Sequence, residues 1–236
     1  MKSVSDEVIP MTRMTIQSQQ LTIHSFPSII RMNNERASLT VSVKDRLVAE
    51  VRVIAPDRPG LMRDITRALT TEGFFIDSAT ISTKDGDTAD NTFTIKLDEL
   101  GGPTIDGMLT FDDAQMLQKV ETLLVETAMD AWGVSYANTV QYIAPEDRVV
   151  EASATASVVE SGLVKSGKCV ICNVIATDRN GLLAATTNAL HDIGCGIISA
   201  TVATKDGIAN NSFVVAAPDG VNAEKVKQAC LSIASK

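Results

Sequence analysis

An internal repeat constrains the fold of this chain more than any other feature of its sequence. Residues 57–86 and 178–207 align at an offset of 121 and share 16 identical residues in 30 positions. Both copies begin with Asp-Arg and end with Lys-Asp-Gly. Chance does not produce such a match, so we predict two copies of one structural unit.

Each copy predicts a strand, a sharp turn and an amphipathic helix, followed by further strands. In the first copy, alternating apolar residues indicate a strand over 47–55, and apolar residues at helical spacing indicate a helix that starts near Leu61 and stops before Gly73. The order βαββαβ follows if later segments form strands at 75–83, 93–97 and 138–143 and a helix after residue 110. The second copy repeats this plan over strands at 168–176, 196–204 and 211–217 and helices at 181–192 and 221–234, without a fourth strand.

These patterns divide the chain into four parts. Residues 1–46 form an N-terminal extension with one or two possible strands, 47–143 the first domain, 144–167 a linker or loosely held helix, and 168–236 the second domain. A sheet that lacks its edge strand leaves backbone groups unpaired. We therefore expect an N-terminal strand, or a partner chain, to cover the open edge of the second domain.

Composition excludes several classes of protein. A net charge of −8 argues against a nucleic-acid partner, which requires clustered Lys and Arg. No apolar run approaches the roughly 20 residues of a membrane helix, and the first forty residues lack the layout of a secretory signal. Cys169 and Cys172 fall on opposite faces of a predicted strand, so we expect buried thiols in a reducing compartment and no bound metal.

The sequence offers few candidates for catalysis. His24 and His191 occupy positions that the repeat does not share, and no nucleophile is paired with a base at the repeated positions. Phosphate-binding glycine loops are absent, and the acidic run at 85–90 lacks the closing Glu of a calcium loop. We therefore predict a protein that has no catalytic residues and needs no cofactor.

The repeated motif resembles the ACT domain, a small ligand-sensing module. The resemblance rests on Asp-Arg-Pro-Gly-Leu at 57–61, Gly73, and the run Ile76-x-x-Ala79-x-Ile81-x-Thr83 before an Asp-Gly turn. It implies an α+β fold of two ferredoxin-like βαββαβ domains, with antiparallel sheets and helices on one face. Two such domains without a catalytic domain are similar to the ACT-repeat proteins of plants, algae and some bacteria.

The resemblance also implies an amino-acid site near each strand-to-helix turn, where two ACT domains meet. A helix N-terminus suits a carboxylate, and a glycine lets a ligand approach the backbone. Asn180 departs from the family's proline. The alternative is that the aspartates only cap helices, the arginines lie in solvent and the glycines only tighten the turns. The candidate ligand-binding residues are Asp57, Arg58, Pro59, Gly60, Leu61, Asp178, Arg179, Asn180, Gly181 and Leu182.

The outward strand face differs between the two copies. Glu50, Thr94 and Lys96 in the first copy are replaced by Ile171, Val214 and Ala216 in the second, and we expect these three to lie in an interface with another domain or subunit. Two functions remain open. One is a regulatory protein, in the cytoplasm or plastid stroma, that senses an amino acid and modulates a partner enzyme of amino-acid or nitrogen metabolism. The alternative is an assembly subunit, in a larger complex or homo-oligomer, that kept the fold and binds no ligand.

Overall fold

The computed structural model describes residues 28–31, 38–84, 87–97, 110–111, 114–129, 150–159 and 168–235. In chain order these residues form β1 (Ser28–Arg31), β2 (Ser38–Asp45), β3 (Val48–Pro56), α1 (Leu61–Thr71), β4 (Phe74–Lys84), β5 (Thr88–Leu97), α2 (Ala114–Met129), β6 (Ser153–Val159), β7 (Lys168–Thr177), α3 (Leu182–Asp192), β8 (Gly196–Lys205), β9 (Ile208–Ala217) and α4 (Ala223–Ala234).

The strands form one antiparallel sheet of nine, in the order β1-β2-β3-β5-β4-β8-β9-β7-β6. The residues of β3 and β7 alternate between a buried face and a more open face, as expected for a sheet covered on one side. The buried face packs against the helices, and the core is aliphatic with a few phenylalanines. The predicted α+β fold of ferredoxin-like units, with helices on one face of an antiparallel sheet, is confirmed.

The sheet consists of two units that are related by the sequence repeat. Unit 1 comprises β2, β3, α1, β4, β5 and α2, and unit 2 comprises β6, β7, α3, β8, β9 and α4. They join where β4 pairs with β8, and Thr80 lies opposite its repeat equivalent Thr201. Because equivalent residues face each other there, a local twofold axis relates the two units within one chain.

In each unit, the outermost strand is the unit's first strand in the chain. Beside β3 lies β2, and beside β7 lies β6, so both units follow the order ββαββα within the described residues. The strand predicted at 38–43 corresponds to β2. The fourth strand predicted at 138–143 falls outside the described residues.

The prediction of a linker or loosely held helix over 144–167 is wrong for Ser153–Val159, which form β6 and pair with residues 169–175 of β7. The expectation that an N-terminal strand covers the edge of unit 2 is also wrong, because β6 pairs with β7 at that edge, whereas β1 and β2 lie beside β3 at the other end of the sheet. The linker prediction failed because the side chains of β6 are small. Ala154 is buried, and small residues there let α4 approach the edge of the sheet. The Ser, Thr and Ala residues of β6 also give this segment a composition similar to that of a linker.

Candidate functional site

The two repeated turns occupy equivalent places in the fold. Each follows a strand that pairs with an edge strand, and each starts a helix, α1 or α3, through a glycine in the left-handed region. Gly60 has φ 83° and Gly181 has φ 80°. Within the described part of the chain, no side chain caps either helix. The amide groups of Leu61 and Leu182 donate to the carbonyls of Arg58 and Arg179 (3.1 Å each) and so close the turns, while the positive end of each helix dipole has no capping side chain.

The aspartate of each turn binds the hairpin of its own unit. The amide of Asp57 donates to the carbonyl of Asp87 (2.7 Å), and Thr83 Oγ1 donates to Asp57 Oδ2 (2.8 Å). The same pattern recurs where Thr204 Oγ1 donates to Asp178 Oδ2 (2.7 Å). Burial raises the pKa of Asp178, against the opposing effect of the Thr204 hydrogen bond. Both aspartates thus hold their turns against a hairpin.

The arginine of each turn binds the second helix of its unit. Arg58 donates to Asp64 (2.7 Å) and to the carbonyl of Thr127 near the end of α2 (3.0 Å). Arg179 donates to the carbonyl of Ile233 near the end of α4. These carbonyls lie in the last turns of their helices, at the negative end of the helix dipole, so a guanidinium stabilises them. The alternative that both arginines lie in solvent is therefore wrong.

A cavity of about 260 Å³ lies at the first turn, between the two units. Unit 1 supplies one wall from the turn and the first residues of α1. Unit 2 supplies the other from α3 and the start of β8. The lining residues are Asp57, Arg58, Pro59, Gly60, Leu61, Met62, Arg63, Thr187, His191, Cys195, Gly196 and Ile197. All five candidate residues of the first turn are therefore brought to one cavity.

The second turn faces a cavity of only about 20 Å³, enough for about one water molecule. All five candidate residues from Asp178 to Leu182 line it, together with Thr70, Phe75 and Ile76 of unit 1. The two sites are thus related by the same twofold axis that relates the units. They differ more than tenfold in free volume, so only the first has room for an organic ligand.

The charges around the larger cavity balance. Arg58 and Arg63 both donate to Asp64, and Asp57 lies at the mouth of the turn with an exposed side chain. Two guanidinium groups and two carboxylates thus adjoin the uncapped start of α1. Such a site presents donors for a carboxylate and acceptors for an ammonium group, which suits a zwitterionic ligand more than a simple anion.

Sequence reasoning missed the wall that unit 2 contributes. Thr187, His191 and Gly196 line the cavity because α1 packs against α3, an apposition that no local pattern indicates. The repeat contained the relevant signal. Phe75 and Gly196 occupy equivalent positions, and an aromatic residue opposite a glycine marks a place where the two sites must differ in shape.

The structure contains the apolar outer face that the sequence predicted for unit 2. Ile171, Val214 and Ala216 lie on the side of the sheet opposite the helices and are half-buried. The corresponding face of unit 1 carries ion pairs, such as Arg52 with Asp90. Nothing among the described residues covers these three side chains with a helix, since α3 and α4 pack on the other face. Their role as an interface stays a prediction.

The described residues contain neither a metal-binding cluster nor a helix that could span a membrane. No cluster of three or more His, Cys, Asp or Glu side chains in the described ranges is arranged to hold a metal ion. The helices described between residues 61 and 234 are all too short or too polar to cross a membrane.

Comparison with known proteins finds a domain match for part of unit 1. The sequence model of the ACT domain matches residues 49–105. No curated protein matches the chain. Among solved structures, an unknown protein from Galdieria sulphuraria is 19% identical, with 80% of this chain and 92% of that chain covered and a TM-score of 0.25.

Two other solved structures are similar over most of this chain. The ligand-free regulatory subunit of aspartate kinase from Thermus thermophilus is 16% identical, covering 83% of this chain and 97% of that one, with a TM-score of 0.26. The aspartate kinase from Synechocystis is 13% identical, covering 80% of this chain and 40% of that one, with a TM-score of 0.23. From the sequence match and the ferredoxin-like fold of unit 1, we conclude that residues 49–105 belong to an ACT domain.

Proposed function

We propose that this chain is a non-catalytic regulatory protein that binds an amino acid in the cavity at the Asp57 turn. The observation that carries the proposal is the position of that cavity. It opens between the two units at the uncapped start of α1, where a ligand would touch both units at once. The chain would then modulate a partner enzyme of amino-acid or nitrogen metabolism, in the cytoplasm or plastid stroma.

The chemistry of the cavity supports a small zwitterion as its ligand. The positive end of the helix dipole, at the uncapped start of α1, favours a carboxylate beside Gly60. Asp57 offers an acceptor for the α-amino group at the same turn. A volume of about 260 Å³ lies just below the range of about 300–1,000 Å³ typical of drug-sized ligands. A single amino acid therefore matches the site in both size and charge.

The position of the site also provides a way to transmit a signal. Its two walls belong to α1 and α3, the helices that pack across the twofold axis. A ligand that binds both walls favours arrangements in which the units are held together. Such differential affinity is what shifts a conformational equilibrium, and a partner protein that contacts both units would respond to it.

Thermal unfolding in the presence of each L-amino acid tests this proposal. A ligand that binds only the folded state raises stability by about 2.7 kcal/mol at a hundred times its Kd, so one or two amino acids should raise the melting temperature. The D-enantiomer of each responding amino acid serves as the control for specific binding. A panel with no response would contradict the sensor.

The assembly-subunit alternative is favoured by one observation, the half-buried apolar face of Ile171, Val214 and Ala216. If this face is an interface, Val214→Asp should lower the molecular mass measured by light scattering after size exclusion. Thr94→Asp, at the equivalent position of unit 1, is the matched control and should leave the mass unchanged. A wild-type protein that is monomeric at all concentrations would count against self-assembly.

A further inference from the structure

The two repeat-related cavities differ in volume although their turns are nearly identical. The cavity at the Asp57 turn has about 260 Å³ and the one at the Asp178 turn about 20 Å³. The aspartate, arginine, glycine and leucine of the turn are the same in both copies. The turn itself therefore does not account for the difference, and its cause lies in the wall that the opposite unit supplies.

Most residue differences between the two cavities would make the cavity at the Asp57 turn the smaller one. The larger cavity is lined by Arg63 and His191, and their repeat equivalents are the smaller Ala184 and Thr70. These bulky side chains reduce the larger cavity rather than enlarge it. The position that acts in the right direction is 196, where glycine lines the large cavity and its equivalent Phe75 lines the small one.

The neighbouring pair of equivalent residues is Cys195 and Phe74. Phe74 is fully buried, and its ring stacks on Phe111 in the core of unit 1, with centroids 6.1 Å apart. It is therefore committed to that core and does not line the small cavity, whereas Phe75 does. Phe75 is the aromatic side chain that remains to fill the space at the second turn.

The backbone at Gly196 could carry a side chain. A Cβ built on Gly196 meets no heavy atom of the described structure within 4 Å, and its φ lies outside the left-handed region. Glycine is thus not required there by backbone strain or by crowding. Its effect is to leave open the volume that Phe75 occupies at the equivalent place.

We propose that Phe75 closes the second site from within, so that the chain binds one amino acid, at the Asp57 turn, where Gly196 keeps the site open. This inference rests on the proposed function and adds its stoichiometry. With the ligand's carboxylate at the start of α1, its side chain points toward Gly196, His191 and Ile197. That wall accepts a short side chain, and His191 can exchange a hydrogen bond with a polar one.

Titration calorimetry on the full chain tests the stoichiometry, with the L-amino acid that gives the largest thermal shift as the probe. The wild-type protein should bind one molecule per chain. Gly196→Phe should reduce affinity at least tenfold while the unfolding temperature without ligand stays near the wild-type value. Gly196→Ala is the matched control and should change affinity less than threefold. Full affinity in a folded Gly196→Phe protein would overturn the proposal, as would two bound molecules in the wild type.

Phe75→Ala should have the opposite effect and open the cavity at the Asp178 turn. Phe75→Ala should raise the stoichiometry from one to two, or allow a weaker second binding step, while Phe75→Leu should stay at one. A crystal structure of Phe75→Ala adds a readout that needs no ligand, because the cavity at the Asp178 turn should grow several-fold. An unchanged cavity would overturn the role of Phe75. If no amino acid binds the wild type, the proposed function fails, and this crystal structure still decides whether Phe75 closes the site.

Discussion

The hydroxyl groups of Thr66 and Thr187 lie 3.0 Å apart at the contact between α1 and α3, and the two residues are repeat equivalents. Both side chains are buried, with exposed fractions of 0% and 1%. Each hydroxyl also lies within hydrogen-bonding distance of a carbonyl in its own helix, Thr66 of Met62 and Thr187 of Ala184. Whichever hydroxyl donates to the other, the second can donate to its own carbonyl, so both have an acceptor. The pair marks the twofold axis that relates the two cavities.

We expect the threonine pair to couple the two units energetically. Thr66→Val and Thr187→Val should each lower the free energy of unfolding by about 0.5–1.5 kcal/mol, and the double variant should cost less than their sum because one change already breaks the shared bond. Urea unfolding measures all three. Thr127→Val, which removes a buried hydroxyl bonded within α2, should be additive with Thr187→Val. Full additivity of the Thr66 and Thr187 changes would contradict the coupling.

The carboxylate of Asp90 should stabilise the fold in a pH-dependent way. Arg52 donates two hydrogen bonds of 2.8 Å to it and Lys84 a third, and the Arg52 hydrogen bonds hold its pKa well below the usual range. A depressed pKa gives stability that is present above the unfolded value of about 3.9 and is lost as pH falls below it.

Asp90→Asn should therefore lower the free energy of unfolding by about 1–3 kcal/mol at pH 7, and the gap from wild type should narrow as pH falls from 5 toward 2. Urea unfolding across this pH range provides the measurement. Asp77→Asn is the control, because its ion pair with Lys96 is more exposed and should be worth about 0–1 kcal/mol. A difference in unfolding free energy between wild type and Asp90→Asn that stays constant with pH would rule out this role for Asp90.

Gly60→Ala should affect both stability and binding. Gly60 has φ 83°, and an added Cβ would lie 3.2 Å from Cε1 of His191 and 3.3 Å from Nη2 of Arg63. The left-handed backbone alone costs about 1–2 kcal/mol with a Cβ present. Gly207→Ala is the matched control, since its φ is 75° and nothing in the described structure lies within 4 Å of the added atom.

Both alanine variants should lose a similar amount of stability in urea, but only Gly60→Ala should weaken amino-acid binding, since its methyl group crowds the wall shared by the two units. Thermal shifts with a bound amino acid measure that difference. Equal ligand responses in the two variants would mean that the ligand does not contact Gly60.

The four cysteines should be unreactive in the folded protein. All four thiols are free and buried, and burial raises the pKa of Cys195 to about 11. At pH 8 a thiol with that pKa is ionised to only about 0.1%, and the thiolate is the reactive form. The hydrogen bond with Cys172, and then burial, raise the pKa of Cys230, whereas the same hydrogen bond lowers the pKa of Cys172, which is protected by its complete burial.

A thiol reagent at pH 8 should therefore label the native chain slowly and label four sites rapidly in denaturant. Mass spectrometry counts the labels. A surface cysteine introduced by Gln228→Cys, at an exposed position of α4, should react at once under the same native conditions and so control for reagent activity. Rapid labelling of Cys195 in the folded wild type would show that the large cavity admits reagent to that sulfur.

The site was partly predictable because its first half is a local feature. The sequence Asp57 to Leu61 follows a strand and opens a helix, and every element of that turn is encoded within a few residues. The second half was not, because Thr187, His191 and Gly196 reach the cavity only after α3 packs on α1. The roles of Arg58 and Arg179 were also hidden, since the carbonyls that they bind lie 54 or more residues away.

The sequence by itself determined the duplicated unit, the alternation of buried and open positions in β3 and β7, and the glycine turns that start α1 and α3. These features depend on the period of a helix or strand and on φ preferences, which act over a few residues. Only the tertiary structure decided that β2 and β6 complete the two units of the sheet, that the units join through β4 and β8, and that one cavity is open and the other closed. Those outcomes depend on which distant surfaces bury each other, and a local pattern of apolar residues shows that a face is buried without showing what covers it.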